Sequence, residues 1–209
     1  LDEVQDYTPL QMEIILQLFP SSSFTVVGDL NQSINPCANI GSMDALKGIF
    51  RSQNTAHIRL SKSYRSTYEI TRFCRAILGS REEIEAVNRR GVKPCVCILA
   101  GLEECITATA QSVREMLESG YQSAAVILRT RFEAKEAYAH LRRHVQCQLV
   151  DCADSSVPKG ISVLPSYLAK GLEFDVVYVL NLDHPYHGPE ERNLFYTACT
   201  RALHRLFLY

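Results

Sequence analysis

The chain has 209 residues, enough for one domain or one and a half, and its 46% hydrophobic and 22% charged residues are ordinary for a globular protein. The 22 Lys and Arg nearly balance the 23 Asp and Glu, which excludes the strong overall positive charge of many nucleic-acid-binding domains. No apolar run reaches the roughly 18 residues that a membrane span needs, and no signal-peptide pattern opens the chain. A cytoplasmic protein without a membrane partner is expected.

Short β-rich runs alternate with amphipathic helical patterns along the chain. The expected strands are Phe24–Val27, His57–Leu60, Cys95–Leu99, Ala124–Leu128, Gln146–Val150, Ile161–Leu164, Val176–Leu180 and Leu206–Tyr209. Two capping boxes, Thr8-Pro9-Leu10-Gln11 and Ser66-Thr67-Tyr68-Glu69, each predict the start of a helix. Three more helices are expected: one with an apolar stripe from Ile106 to Leu117, one over Phe132 to Arg143, and one opening at Pro189.

This alternation predicts the fold class. Strands separated by helices of about 10–15 residues predict an α/β fold, a doubly wound parallel sheet with helices on both faces. Residues 1–61 are expected to be the tail of a first domain of this kind, and residues 62–209 a second, complete one.

The eight cysteines indicate a reducing environment rather than a disulfide framework. Cys95 and Cys97 alternate in a predicted strand, and we expect their side chains to point to opposite faces. The other four that fall in periodic segments stand alone, as reduced core thiols do: Cys37, Cys74, Cys105 and Cys199.

One cluster has the residue types of a metal site, with helical spacing between its histidines: His140, His144, Cys147 and Cys152. Zinc sites of standard spacing pair C-x-x-C with H-x-x-x-H, so the cluster does not predict a metal site.

Five motif islands carry the chemistry. In chain order they are Asp2-Glu3-Val4-Gln5-Asp6, Val27-Gly28-Asp29-Leu30-Asn31-Gln32-Ser33-Ile34, Ser63-Tyr64-Arg65-Ser66, Ala169-Lys170-Gly171-Leu172-Glu173-Phe174 and Phe195-Tyr196-Thr197-Ala198-Cys199-Thr200-Arg201-Ala202. Their order resembles motifs II to VI of superfamily 1 helicases of the UvrD/Rep type, whose motor core is a pair of RecA-like P-loop NTPase domains. The resemblance covers nearly the whole chain.

The resemblance implies the C-terminal part of an ATP-dependent DNA helicase that binds ATP and Mg²⁺ when intact. Motifs II and III would belong to the end of a partial first motor domain, and motifs IV to VI to the second. The sequence contains no phosphate loop of the form G-x-x-x-x-G-K-[ST], so the chain alone is expected to be inactive.

The acidic pair at the start suits the hydrolytic step. Hard carboxylate oxygen fits Asp2 as the Mg²⁺ ligand and Glu3 as the group that orients or deprotonates water. By resemblance, Gln32 reaches toward the γ-phosphate and couples phosphate state to domain movement.

The later motifs supply the nucleotide contacts that the family uses. Tyr64 would stack on adenine and Arg65 would point at the γ-phosphate, since an aromatic face suits a base and a guanidinium suits phosphate. Gly171 permits a close backbone approach, and Glu173 matches the residue that binds ribose hydroxyls. Arg201, placed in the last helix one turn after Thr197, matches the arginine finger that stabilises charge on the transferred phosphoryl group.

Two departures concern the residues that grip DNA. After motif III the chain reads Asn35-Pro36-Cys37-Ala38-Asn39-Ile40-Gly41, with no aromatic residue to stack on a base. In motif V, Pro165 and Tyr167 occupy positions where the family favours Thr and His. The remaining nucleic-acid contacts expected here are Ser166, Tyr167 and Lys170.

These departures leave alternatives open. The stretch between motifs IV and V, Thr67 to Pro165, leaves little room for the large accessory insertion of UvrD and Rep. This feature and the altered DNA-gripping residues resemble the HelD-type branch, ATPases that bind and recycle RNA polymerase. A third alternative is a non-catalytic interaction module, against which the retained Glu3, Gln32, Arg65, Glu173 and Arg201 argue.

Overall fold

The computed structural model describes residues 1–35, 38–50, 55–60, 62–79, 85–86, 89–151, 159–181 and 188–209, with side chains at all of these except 85–86 and 188–190. By the density of internal contacts the chain divides into two compact units, Leu1–Leu60 and Ser61–Tyr209.

The first unit is mainly helical in its described part. A 3-10 turn at Val4–Asp6 precedes helix α1 (Pro9–Leu18), a second 3-10 turn covers Leu30–Gln32, and helix α2 covers Met43–Phe50. The capping box that predicted α1 is confirmed, because the Thr8 hydroxyl accepts from the Gln11 amide while the Gln11 side chain accepts from the Thr8 amide. The fully buried core of the unit contains Val4, Met12, Ile40 and Leu46.

Two predicted strands of this unit are not strands in the structure. Near Phe24–Val27 the backbone pairing among the described residues is short. The Leu1 nitrogen donates to the Thr25 carbonyl at 2.7 Å, the Leu1 carbonyl accepts from the Val27 amide at 2.9 Å, and the Val4 amide donates to the Val27 carbonyl at 3.0 Å. At His57–Leu60 the apolar side chains of Ile58 and Leu60 are 78% and 82% exposed, so no layer covers them.

The second unit is built on a parallel sheet. Its strands are β1 (Lys62–Ser63), β2 (Glu85–Ala86), β3 (Cys95–Val96), β4 (Ser123–Leu128), β5 (Cys147–Leu149), β6 (Gly160–Pro165), β7 (Phe174–Val179) and β8 (Ala202–Leu208). The main sheet has six strands in the order β3-β8-β7-β4-β6-β5, every pair parallel, and β1 pairs with β2 separately.

Helices cover both faces of the six-stranded sheet, as the sequence predicts. They are α3 (Tyr68–Leu78), α4 (Leu102–Glu118), α5 (Arg131–Leu141) and α6 (Gly188–Cys199). Successive residues of a strand point to opposite faces, so β7 sends Val177 into one core with α3 and α6 and Tyr178 into another with α4 and α5. The predicted doubly wound α/β fold is confirmed.

Three local predictions are wrong. The N-cap of α3 is Thr67, which accepts from the Ile70 amide, because the Ser66 hydroxyl donates instead to the Ala202 carbonyl at 2.6 Å. Arg201 lies beyond the end of α6, where the chain turns into β8. The side chains of Cys95 and Cys97 share a face, with sulfurs 3.6 Å apart, because residues two apart in an extended segment point the same way.

Candidate functional site

The acidic pair of the first unit stands at the end of the short pairing between Leu1 and the Thr25–Val27 segment. The Val4 amide donates to the Val27 carbonyl at 3.0 Å, which fixes the turn that follows. Glu3 has φ +53°, the left-handed region that a residue with a side chain rarely adopts. Its amide donates to the Asp2 carboxylate at 2.8 Å. Asp2 is exposed and Glu3 half-buried, so two hard oxygen groups lie next to each other at the turn.

Motifs II and III are joined by one buried side chain, Gln5. It is fully buried, its Nε2 donates to the Glu3 carboxylate, and its Oε1 accepts from the Asp29 amide at 3.1 Å. Gly28 makes room for this amide, because a Cβ at that position would lie 2.9 Å from Val4 Cγ1 and closer still to Gln5 Oε1. Gln5 belongs to the first motif, but the motif pattern predicts no role for this residue.

Gln32, the predicted phosphate sensor, lies close to the same place. Its Nε2 donates to Asp29 Oδ2 at 3.0 Å, while Asp29 Oδ1 accepts from the Asn31 amide at 3.0 Å and caps the 3-10 turn. The structure therefore brings Glu3 and Gln32 into one hydrogen-bonded group through Gln5 and Asp29. Of the segment after motif III, Pro36 and Cys37 lie outside the described residues.

In the second unit, motifs IV and V meet at the surface. Arg65 Nε lies 2.7 Å from Glu173 Oε1, with the two side chains 44% and 41% exposed. Tyr64, the residue before, is 70% exposed, so its ring is open to a stacking partner. Three residues that the sequence assigned to the nucleotide are thereby gathered from distant parts of the chain, with the guanidinium and carboxylate paired to each other.

The loop before β7 presents its backbone beside this pair. Gly171 has φ +78°, and an added Cβ there would meet nothing within 4 Å, so the space above the loop is open. Ala169 is fully buried in the core, which anchors the loop, and its carbonyl accepts from the Leu172 amide at 3.1 Å within the loop. Open backbone on an anchored loop suits the close approach that the sequence predicted for Gly171.

Arg201 is placed differently from an extended finger. It is 1% exposed, and its guanidinium donates from Nε to the Thr197 carbonyl at 3.0 Å and from Nη2 to the Thr200 hydroxyl at 3.1 Å. A longer contact, 3.4 Å, joins its Nη1 to the Leu172 carbonyl. Burial raises the pKa of the neighbouring Cys74 to about 12 in spite of the guanidinium charge. Arg201 would have to exchange these partners to reach a phosphoryl group.

The three residues expected to touch nucleic acid differ in access. Ser166 is fully buried, and its hydroxyl donates to the Leu128 carbonyl at 2.8 Å, which ties the loop after β6 to the end of β4. Tyr167 is 42% exposed and Lys170 is half-buried. In this conformation, therefore, only Tyr167 and Lys170 present side chains to solvent.

The sequence does not predict a cleft of about 640 Å³ that lies at the N-terminal ends of the strands of the sheet. Asp175 closes it on one side, its carboxylate accepting from the amides of Gln122 and Ser123 at 2.8 and 3.0 Å. His204 lies between Arg89, whose Nη2 is 2.6 Å from Nδ1, and Asp175. Burial, and then the Arg89 charge, lower the pKa of His204, while Asp175 opposes the shift. No sequence motif marks this group, because its members come from four separate segments of the chain.

The cysteine clusters carry no metal site in the described part of the chain, where no group of three or more His, Cys, Asp or Glu side chains could hold an ion. Cys152 lies outside the described residues, so the fourth member of the metal-like cluster is not placed. Burial raises the pKa of Cys105 and Cys147, which keeps these thiols protonated. Among the described helices, none is both long and apolar enough to cross a membrane.

Comparison with known proteins agrees with this geometry. A family described as the UvrD-like helicase C-terminal domain matches residues 160–209. The crystal structure of the C-terminal domain of a possible DNA helicase from Lactobacillus plantarum WCFS1 is 34% identical, with a TM-score of 0.59 over 70% of this chain and 86% of that one. The structure of PRRSV helicase is 16% identical, with a TM-score of 0.51 over 100% of this chain and 33% of that one, and shows the fold alone.

One curated relative extends well beyond this chain. It is a candidate ATP-dependent DNA helicase of Acanthamoeba polyphaga mimivirus, 24% identical over 254 residues that include 100% of this chain and 33% of that protein. The chain thus spans about a third of the length of this relative.

The parallel six-stranded sheet and its structural neighbours define the class: this is a RecA-like helicase domain. The chain belongs to the family of UvrD-like helicase C-terminal domains. The finer resemblance to the branch that binds RNA polymerase is supported by none of these relatives and stays a prediction.

Proposed function

We propose that the intact protein is an ATP-dependent DNA helicase and that Ser61–Tyr209 is its second motor domain. The observation that carries this is the meeting of motifs IV and V at an exposed surface, where Arg65 and Glu173 lie 2.7 Å apart beside the open ring of Tyr64. A base, a ribose and a phosphate need an aromatic face, a carboxylate and a guanidinium within one nucleotide length of each other. These three side chains supply that set.

The roles follow from the chemistry of each group. Asp2 and Glu3 offer the hard oxygen that Mg²⁺ prefers, and neither residue is buried, so their donor set fits the ion. Bound Mg²⁺ would neutralise phosphate charge, while Glu3 orients or deprotonates the attacking water. Glu173 would exchange its contact with Arg65 for the ribose hydroxyls, which frees the guanidinium for the γ-phosphate. Arg201 serves as the arginine finger after release from its carbonyl partners.

The test of this proposal is Glu3→Gln in the full-length protein. The variant should lose ATP turnover and keep ATP binding, since the amide retains the shape of the side chain but cannot accept the proton from water. Glu13→Gln, on helix α1 of the same unit, makes the same charge change outside the five motifs and should turn over ATP normally. Wild-type turnover by Glu3→Gln would remove Glu3 from the catalytic role.

A second candidate is a motor that acts on RNA polymerase. Pro165 and Tyr167 stand where Thr and His are expected, and this observation favours it. The burial of Ser166, which removes one expected DNA contact in this conformation, points the same way. No known relative described above supports the polymerase partner.

The two candidates are separated by the ATPase rate of the full-length protein, titrated with single-stranded DNA and, separately, with bacterial RNA polymerase core. Strong stimulation by DNA alone establishes a translocase on nucleic acid. Indifference to DNA together with tight binding to the polymerase establishes the second candidate.

A further inference from the structure

Gln5 occupies an unusual position for a neutral polar side chain. It is fully buried, yet both ends of its amide are in use, one on the Glu3 carboxylate and one on the Asp29 backbone. The backbone carbonyl of Gln5 accepts from the Ile40 amide at 3.3 Å. Backbone and side chain are therefore both held, and the side chain has a single orientation available.

The direction of the amide is settled by its partners. A backbone N–H can only donate, so the Gln5 atom that faces Asp29 must be the oxygen. The NH₂ group then faces Glu3, whose carboxylate oxygen accepts the hydrogen bond. Reversing the amide would set two donors against each other at one end and two acceptors at the other.

Gln5 also links two elements that are expected to sense different parts of the reaction. Asp29, whose amide is held by Gln5, uses its carboxylate to hold the Gln32 side chain at 3.0 Å. A displacement of the Asp29 turn would therefore move the side chains of both Gln32 and Glu3. The absence of a side chain at Gly28 is what allows the Gln5 amide to lie this close to the turn.

We propose that Gln5 is a positioning residue for hydrolysis: it holds the Glu3 carboxylate at one end and the Asp29–Gln32 turn at the other, so that the two act as a unit. This rests on the proposed function, in which Glu3 acts on the attacking water. Glu3 has φ +53°, and the hydrogen bond that its carboxylate accepts from the buried Gln5 amide holds that carboxylate in one direction.

The experiment uses two variants of the full-length protein. Gln5→Met keeps the length of the side chain but removes both hydrogen bonds, and it should lower kcat by about 10- to 100-fold with the KM for ATP within about twofold, as loss of an orienting partner does. Gln5→Glu keeps the contact with the Asp29 amide but sets two carboxylates face to face. They would hold a proton between them, so the acid limb of the pH–rate profile should move upward by about one pH unit or more.

Gln11→Glu is the matched control. It makes the same charge change in the same unit, at a capping-box position where Glu is as suitable as Gln, and should leave both kcat and the pH profile unchanged. Each variant is also tested for ATP binding at the assay temperature, because a variant that binds ATP as the wild type does is folded around the site.

The outcomes of these measurements support or overturn the positioning role of Gln5. A wild-type kcat for Gln5→Met and a wild-type pH profile for Gln5→Glu overturn the positioning role while leaving Glu3 as proposed, provided that Glu3→Gln is inactive. Full activity of Glu3→Gln overturns both proposals. If neither Gln5 variant binds ATP, Gln5 is a structural residue and the positioning role is also overturned.

Discussion

Gly28 lies where the backbone of one loop passes very close to the motif II turn. A Cβ there would be 2.9 Å from Val4 Cγ1 and 3.0 Å from the Val4 amide nitrogen, inside normal contact distance. Since the Val4 contacts involve a buried side chain and backbone, the clash cannot be relieved by rotation of a free side chain. Gly28 is therefore needed for shape and not for backbone freedom.

Gly28→Ala should lower the free energy of unfolding by about 1–3 kcal/mol, the usual cost of overpacking. Gly48→Ala is the control in the same unit: it lies within helix α2 and its new Cβ meets nothing within 4 Å. That change should be neutral or stabilise by up to about 1 kcal/mol. Chemical denaturation of both variants checks the pair, and equal effects would show that the Gly28 contact is relieved by movement of the loop.

Arg201 has a structural role that its motif did not reveal. Removal of the guanidinium leaves the Thr197 carbonyl without this donor and opens a cavity in the core. Arg201→Ala should thus lower the free energy of unfolding by about 2–4 kcal/mol, whereas Arg72→Ala, at an exposed position of α3, should cost less than about 0.5 kcal/mol. Denaturant unfolding of the 209-residue chain measures both.

The structural role of Arg201 affects how the ATPase activity of the Arg201→Ala variant is interpreted. In the full-length protein Arg201→Ala should slow hydrolysis by a factor on the order of 10³, as the loss of arginine fingers does elsewhere. Because the residue is also structural, the rate must be compared at a temperature where the variant is folded. An unchanged rate there would mean that Arg201 belongs only to the core.

At the scale of elements, side-chain hydrogen bonds and ionic contacts connect neighbouring strands of the sheet at their N-terminal ends. Asp175, at the start of β7, accepts from two amides at the start of β4. His204 on β8 lies between Asp175 and Arg89, and Lys159 lines the same cleft. The strands that carry motifs V and VI are thus tied to their neighbours at the end where Glu173 and Arg201 lie.

The position of His204 predicts a pH dependence of stability. Its pKa is lowered in the folded protein by burial and by Arg89, so as the pH falls below about 6.5 the unfolded state takes up the proton first. The contribution of His204 is therefore complete above that pH and is lost on acidification. Between pH 7 and pH 5.5 the wild-type melting temperature should fall further than that of His204→Gln, while His144→Gln, at an exposed position, should follow the wild type.

At the scale of the whole molecule, the sequence contains the residues proposed to contact the nucleotide but no phosphate loop. The purified 209-residue chain should therefore show no ATP turnover, whereas the full-length protein should. A coupled assay for phosphate release compares the two at equal concentration, with the Glu3→Gln full-length protein as the blank. Turnover by the purified chain at a rate above that blank would contradict the expectation that hydrolysis needs a phosphate loop.

The helices and strands that the sequence predicted correctly are those whose signals lie within a few residues of each other. Capping and apolar period located α1, α3, α4 and α5, since both depend on residues within a few positions of each other. Helix α2 was missed, because no capping box or long stripe marks its 8 residues. The segment Phe24–Val27 has strand composition, yet a strand exists only when a neighbour pairs with it.

The sequence by itself determined the class of the protein. The order of its motifs and the alternation of strand and helix are readable in one dimension, and both the parallel sheet and the helicase family followed from them. Only the tertiary structure decided what these residues contact. It paired Arg65 with Glu173, buried Arg201 and Ser166 against backbone carbonyls, and placed the Gln5 amide between Glu3 and Asp29. Most of these contacts join residues distant in the chain: Arg65 with Glu173, Ser166 with Leu128, and Gln5 with Asp29. Composition and periodicity report only on neighbours within a turn or a strand.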